Sequence, residues 1–289
     1  MSKLLENRIA LITGASRGIG RALAQRLAAE GATVVVTARS LDSAGKYEGT
    51  LKETVGLIEA AGGTAYPLVA DLEKDADLDS LVPRAVDLAG GLDILVHSGG
   101  KAEYAPTVDM ETDVFDRTLG HYLRAPFRLY RHAVPEMRRR GAGWIVTLGS
   151  VTALPPLRPY DEWAMHGGAT VYAAIKAAVH RMTQGLAAEL LPHGIAVNTL
   201  APSTAIRTPG ASEYIPQDYP SERIEYIAET GLALCHLPAS ERTGLTAYSL
   251  HFPHFHKLSV YTLDGKKRIE DAVLPEYAHP DIDASGMGS

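Results

Sequence analysis

The chain is poor in the features that would direct it to an oxidising compartment, a nucleic acid or a bilayer. It has one cysteine, Cys235, so no internal disulfide can form and no oxidising compartment is needed; in an apolar segment that thiol is expected to be buried and inert. Basic residues are not in excess. Lys and Arg number 28 against 34 Asp and Glu, for a formal net charge of -6, and no row of cations follows one face, which argues against nucleic acid and anionic membrane as partners. The short run Arg138, Arg139, Arg140 reads as a solvated helix end that suits the C-terminal dipole. Long apolar runs are also missing. The opening MSKLLENRIALIT meets its first glycine after an apolar stretch far below a signal-peptide core or a membrane span, so a soluble, cytoplasmic protein is expected.

What is present is ordinary globular material, 46% hydrophobic and 21% charged over 289 residues, enough for one sizeable core. Short β-branched runs alternate with longer helical stretches. RIALIT precedes a helix from Gly18 to Glu30, TVVVTA one near Leu51 to Ala61, and AYPLVA one from about Leu78 to Leu88. LDILVHS precedes a long helix from about Thr112 to Arg139, WIVTLGS a helix through Tyr172 to about Leu191, and IAVNTL and an apolar run near Leu245 to Leu250 follow. Continuous apolar strands separated by helices predict an α/β fold, a single doubly wound, Rossmann-like domain with a seven-stranded parallel sheet and helices on both faces. No repeat or low-complexity linker interrupts it before about Leu263. The expected organisation is a dinucleotide-binding domain over 1–263, including a substrate lid at about 203–230, and a polar extension over 264–289 that reads as extended or partly disordered.

The first chemical signal is TGASRGIG, Thr13 to Gly20, at the junction of the first strand and helix. Gly14, Gly18 and Gly20 allow a sharp turn and close approach to a pyrophosphate, and the helix N-terminus offers unpaired N–H groups and a favourable dipole. At the end of the second strand, where nicotinamide enzymes often keep an acid for the ribose hydroxyls, this chain has Ala38, Arg39 and Ser40. Arg39 and Arg17 are two cations able to reach a 2′-phosphate, so NADP(H) is expected over NAD(H), although Asp42 lies close enough that another loop path would bring it to the ribose. Asp71 follows the third strand and is placed to contact adenine or to cap the next helix.

The second signal is VYAAIKAAV. Tyr172 and Lys176 are four residues apart, one helical turn, so phenol and ammonium share a face. A free tyrosine keeps its proton to about pH 10; an ammonium about 4 Å away at an effective dielectric near 20 contributes about 4 kcal/mol, enough to lower the phenol by up to roughly three units. Such a tyrosine exchanges a proton with a carbonyl or alcohol oxygen while a nicotinamide exchanges hydride with the attached carbon, and Ser150, at the end of the preceding strand, is placed to hold that oxygen.

Together these segments resemble the short-chain dehydrogenase/reductase family over roughly Asn7 to Leu250: TGASRGIG matches TGxxxGIG, Tyr172 and Lys176 match YxxxK, Ser150 matches the catalytic serine, and IAVNTLAPS resembles the VNxxxPG segment. The resemblance implies an NADP(H)-dependent oxidoreductase interconverting a secondary alcohol and a ketone, with Ser150, Tyr172 and Lys176 catalytic. It implies a cofactor site of Gly14, Ser16, Arg17, Gly18, Ile19, Gly20, Arg39, Ser40, Asp71, Leu72, Ser98, Gly99, Pro202 and Thr204, completed by Tyr172 and Lys176. Pairing through the two long helices into a homodimer or homotetramer is likewise a family expectation. Four departures stand out. HSGG, His97 to Gly100, replaces NNAG; Tyr122 occupies the place of an asparagine that supports a water relay behind the lysine, with His121 or the Tyr122 hydroxyl as substitutes; Ser150 and Tyr172 are 22 positions apart instead of about a dozen; and Ser203 replaces a glycine. The lost asparagines keep open an alternative, a nucleotide-binding sensor or scaffold with weak or no turnover.

The extra residues before Tyr172 carry Tyr160, Trp163, Met165 and His166, and the long segment after Pro202 carries Ile206, Tyr214, Ile215 and Tyr219. They predict a lid and a neutral, bulky alcohol or ketone as the small-molecule substrate. HFPHFH, His251 to His256, lacks a carboxylate or cysteine to complete a metal site, and no metal is expected.

Overall fold

The computed structural model describes residues 3–43 and 45–287. Seven strands form its centre: β1 Ile9–Thr13, β2 Thr33–Ala38, β3 Thr64–Val69, β4 Ile94–His97, β5 Gly143–Leu148, β6 Ile195–Ala201 and β7 Thr246–Tyr248. All neighbours pair in parallel, in the order β3-β2-β1-β4-β5-β6-β7, as the alternating pattern predicted. The inner strands are apolar along their whole length because both faces are covered. Ile12 joins a core layer with Leu23, Leu27 and Val36, while its neighbour Leu11 joins the opposite layer with Val35, Leu81, Leu129 and Val197. Only an edge strand tolerates a residue without an N–H, and Pro67 lies in β3, the edge.

The helices are α1 Gly18–Ala29, α2 Leu51–Ala60, α3 Asp75–Ala89, α4 Thr112–Leu119, α5 Ala125–Arg140, α6 Glu162–His166, α7 Thr170–Leu190, α8 Ile224–Ala233 and α9 His251–His256. Strand order reverses between β1 and β4, so their carboxyl ends part and leave a crevice, which the loops that follow them line.

Two expectations change. The helix expected over Thr112 to Arg139 is continuous but not α throughout: Gly120–Arg124 wind as a π-helix between α4 and α5, with the Ala125 N–H reaching back to the Gly120 carbonyl. The tail beyond Leu263 has little regular structure but is docked. Ala272 packs with Tyr226, Leu250 and Val260, Ile282 packs with Ala201 and Tyr248, and the Gly286 carbonyl accepts the Thr246 N–H of the edge strand β7 at 2.7 Å. A tail rich in Pro, Gly and Asp cannot form a helix, yet a few apolar anchors suffice to hold it as a strap; its last two residues lie outside the described ones.

Candidate active site

The glycine turn and the β4 exit meet at van der Waals limits. Gly14 has φ +67°, and a Cβ there would lie 2.7 Å from Gly99 Cα; a Cβ on Gly99 would lie 2.5 Å from the Leu72 side chain. Gly14, Leu72 and Gly99 are therefore one cradle, shaped for backbone to approach a flat or phosphorylated group. Thr13, which motif reading passed over, joins them: its Oγ1 accepts the Ser98 and Gly99 N–H groups at 3.1 and 3.0 Å. Ser16 is buried, Ile19 packs on the core beneath the turn, and Gly18 sits where a Cβ would lie 3.2 Å from Thr208 of the lid. Between the turn and the lid is an open cavity of about 270 Å³ lined by Arg17, Arg21, Glu53, Arg207 and Thr208.

Burial, and after it the nearby charge of Arg39, hold the Arg17 guanidinium below its ordinary value. Arg17 donates to the Tyr47 carbonyl at 2.6 Å. Ser40 bonds the Ser43 carbonyl at 2.6 Å, and Asp42 is exposed. Asp71 accepts the Glu73 N–H at 3.1 Å and donates its own N–H to Asp77 of α3 at 2.7 Å, so its side chain closes the turn before α3 and does not cap the helix, whose N-cap is Lys74. The cradle fits a dinucleotide.

Ser150, Tyr172 and Lys176 come together at the carboxyl end of β5, where α7 presents one face. Burial pushes the Tyr172 phenol well up, the Tyr104 phenol adds to this, and a hydrogen bond with Ser150 works the other way. Lys176 is 1% exposed and donates to the Leu148 carbonyl at 2.6 Å; burial pushes its ammonium down to about 7. The lysine expected to lower the phenol is thus itself close to losing its charge, and its nitrogen stands 5.6 Å from the Tyr172 ring centre. The motif geometry is present, but here burial outweighs the simple Coulomb expectation. Ser150 also pairs with the Thr152 hydroxyl at 2.8 Å, and its N–H donates to His180 Nε2 at 3.3 Å. That histidine, one further turn along α7, was not singled out from sequence.

The departures find partners. His97 bridges Thr13 Oγ1 at 3.1 Å and the His121 carbonyl at 3.0 Å, and burial pushes it down to about 4, so it is neutral. His121 Nε2 lies 3.1 Å from the Glu73 carboxylate. Tyr122 turns toward Lys176. Ser203 is buried, its Oγ accepting the Leu250 N–H and meeting His251 Nδ1, both at 2.9 Å, an anchoring that glycine lacks. The HFPHFH histidines do not converge: His254 and His256 bind the Ala272 and Ser285 carbonyls instead.

The insertion and the lid meet over Tyr172 through Tyr104, a residue sequence reading missed. Its ring lies edge-on to Tyr172 at 5.3 Å, Trp163 of α6 at 5.6 Å and Tyr214 of the lid at 5.1 Å. Arg207 holds the lid by donating to the carbonyls of Ile215, Pro216, Gln217 and Tyr219. At the lid base Glu222 accepts the Thr204 N–H at 2.9 Å and the Ser249 hydroxyl, which fixes the chain just after Pro202. Nothing local in the sequence marks Tyr104, Arg207 or Glu222; each is defined by what the fold brings to it.

The model of the short chain dehydrogenase family matches residues 8–218. The chain is 37% identical over 212 residues to the short-chain reductase protein NovJ of Streptomyces niveus, covering 72% of each chain. It is 35% identical over 199 residues to dehydrogenase/reductase SDR family member 4 of Homo sapiens, covering 68% of this chain and 66% of that one, so it spans just under two thirds of the human protein's length. A 3-oxoacyl (acyl-carrier-protein) reductase from Agrobacterium tumefaciens C58, solved with NADP bound, superposes with a TM-score of 0.71 at 29% identity over 84% of this chain and 93% of that one.

Proposed function

The chain belongs to the short-chain dehydrogenase family, and from that premise we propose that it is an NADP(H)-dependent oxidoreductase interconverting a secondary alcohol and a ketone. The single observation that carries this reading is the hydrogen bond between the Ser150 and Tyr172 hydroxyls one helical turn from the buried Lys176 nitrogen. The bound nicotinamide supplies the hydride. The chain's own part is acid–base and positional. Tyr172, protonated at neutral pH because burial raises it, donates its proton to the carbonyl oxygen; Ser150 holds that oxygen; Lys176 places a positive charge below the phenol as its proton leaves. A phenol that starts protonated favours reduction as the working direction. Gly14, Leu72, Ser98, Gly99, Pro202 and Thr204 would hold the dinucleotide, with Arg17, Arg39 and Ser40 at a 2′-phosphate.

The ring cluster of Tyr104, Trp163 and Tyr214 supports a neutral, bulky substrate. Half-exposed Phe115 on α4 and Phe127 on α5 support a homo-oligomer. A cytoplasmic setting suits a chain whose one cysteine is buried. The test follows NADPH absorbance over a ketone panel. Tyr172→Phe is expected to lower kcat/KM by roughly 10²–10⁴-fold with NADPH binding retained. Turnover untouched by the substitution removes Tyr172 from the chemistry, and binding without turnover on any ketone favours a sensor.

A further inference from the structure

Lys176 is fully buried, with rings on more than one side of its nitrogen. Its nitrogen donates one hydrogen bond, to the Leu148 carbonyl, and on another side the face of the Tyr122 ring lies 4.0 Å away, well within cation–π range. Tyr122 is itself buried at 8% exposed and packs with Ile175 and Val179 of α7. Its ring lies flat on the backbone at Gly100, where a Cβ would come 2.5 Å from the ring, and edge-on to Tyr172 at 5.5 Å. Two features place the ring there. The π-helical turn Gly120–Arg124 widens the helix at this point, and His97 reaches across from β4 to bind the His121 carbonyl inside that turn. Two of the positions at which the chain departs from its family, the histidine that ends β4 and the tyrosine in the turn, are thus joined.

We propose that Tyr122 is a positioning residue for Lys176, offering its ring face to the ammonium in place of the polar relay, with His97 and the π-turn as the support that sets the ring. The inference rests on the functional reading above. An ammonium has three N–H groups; one is taken by Leu148 and one faces the ring, which leaves a third for the ribose side of the cleft. A ring face favours the charged form and opposes the burial that pushes this lysine down to about 7. The other titratable groups facing it are Tyr172 and His180 on its own helix and His97 from β4; both histidines are pushed down to about 4, so neither changes charge where the lysine does.

The sign follows. Without the ring the ammonium is less favoured, the lysine loses its proton at lower pH, and the alkaline limb of activity moves down. Tyr122→Leu removes the ring at comparable volume; Tyr122→Phe keeps the ring without the hydroxyl. In the ligand-free protein labelled with ¹⁵N-lysine, the Lys176 titration midpoint read by NMR is expected to fall by about one pH unit in Tyr122→Leu and to return toward wild type in Tyr122→Phe. The alkaline limb of kcat/KM is expected to move with it, kcat falling more than KM rises. Equal midpoints in all three proteins overturn the proposal, as does a phenylalanine variant as impaired as the leucine one, which would make the hydroxyl the working group. If Tyr122→Leu does not fold, by loss of its melting transition, the phenylalanine variant alone still decides between ring and hydroxyl. Because the NMR midpoint needs no substrate, a wild type that reduces no ketone sinks the functional reading without being mistaken for failure of this one.

Discussion

Like charges repel unless an anion lies between them, and Arg39 is near enough to Arg17 to disfavour its charge. A 2′-phosphate would relieve that repulsion; a bare ribose would not. Arg39→Ala is therefore expected to weaken NADPH by about tenfold or more while moving NADH by less than about twofold, read as dissociation constants by nucleotide fluorescence. Equal losses for both nucleotides would refute the assignment and return Asp42 to consideration. At this scale the sequence exposed Ser150, Tyr172, Lys176 and the glycines, because their chemistry is tied to fixed local spacing. It did not expose how burial changes them. The one-turn separation of phenol and ammonium is legible as a Coulomb term, whereas desolvation, which raises Tyr172 and lowers Lys176, depends on rings such as Tyr104 and Tyr122 that arrive from elsewhere in the chain.

At the scale of elements, the alternation of apolar strands and helices was readable throughout the sheet, since a buried parallel strand has no other way to be written. The π-turn was not readable: Gly120–Arg124 continues the helical pattern of its neighbours, and the contacts made there, to His97 and Lys176, come from elsewhere in the chain. The segment after Pro202 was legible as long and irregular, but what holds its two ends together was not. Its two ends are clasped by Glu222, which takes the Thr204 N–H and the Ser249 hydroxyl, while the Glu222 N–H returns to the Ala205 carbonyl at 2.8 Å. Burial pushes that carboxyl up to about 7 from an ordinary 4.5. The folded state then holds a proton more tightly than the unfolded one, so this group stabilises the fold below about pH 4.5 and that contribution is lost as pH rises to about 7, a change of about 3 kcal/mol. Glu222→Gln, neutral at every pH, is expected to flatten the decline of the melting temperature between pH 5 and pH 8 seen in the wild type. Parallel melting curves across that window would show that the clasp is charged in the folded protein.

Across the whole molecule, the two walls above Tyr172 are separate in sequence and are tied by a third segment, the strap beyond Leu263. The strap's Tyr277 packs on Tyr219 of the lid at 6.1 Å between ring centres and bonds Thr204; His279 Nε2 pairs with the Pro155 carbonyl of the insertion at 2.9 Å; and Ile282 packs with Val151 and Leu154 next to Ser150. Composition predicted a polar tail, and polarity is a poor guide here because a strap needs few anchors and Ile282 is one apolar residue among many polar ones. Truncating that anchor tests the coupling. Ile282→Ala should cost about 2–3 kcal/mol if it acts within a cooperative core, or leave global stability nearly unchanged if the strap opens on its own. Hydrogen exchange separates these outcomes: with the strap as a tie, amides of the lid and of the insertion speed up together in the variant while those of β1 and β4 keep their wild-type rates. Faster exchange confined to the tail itself would mean that the lid and the insertion are held by their own contacts, Arg207 and the Tyr104 rings foremost, and that the strap merely covers the edge of β7.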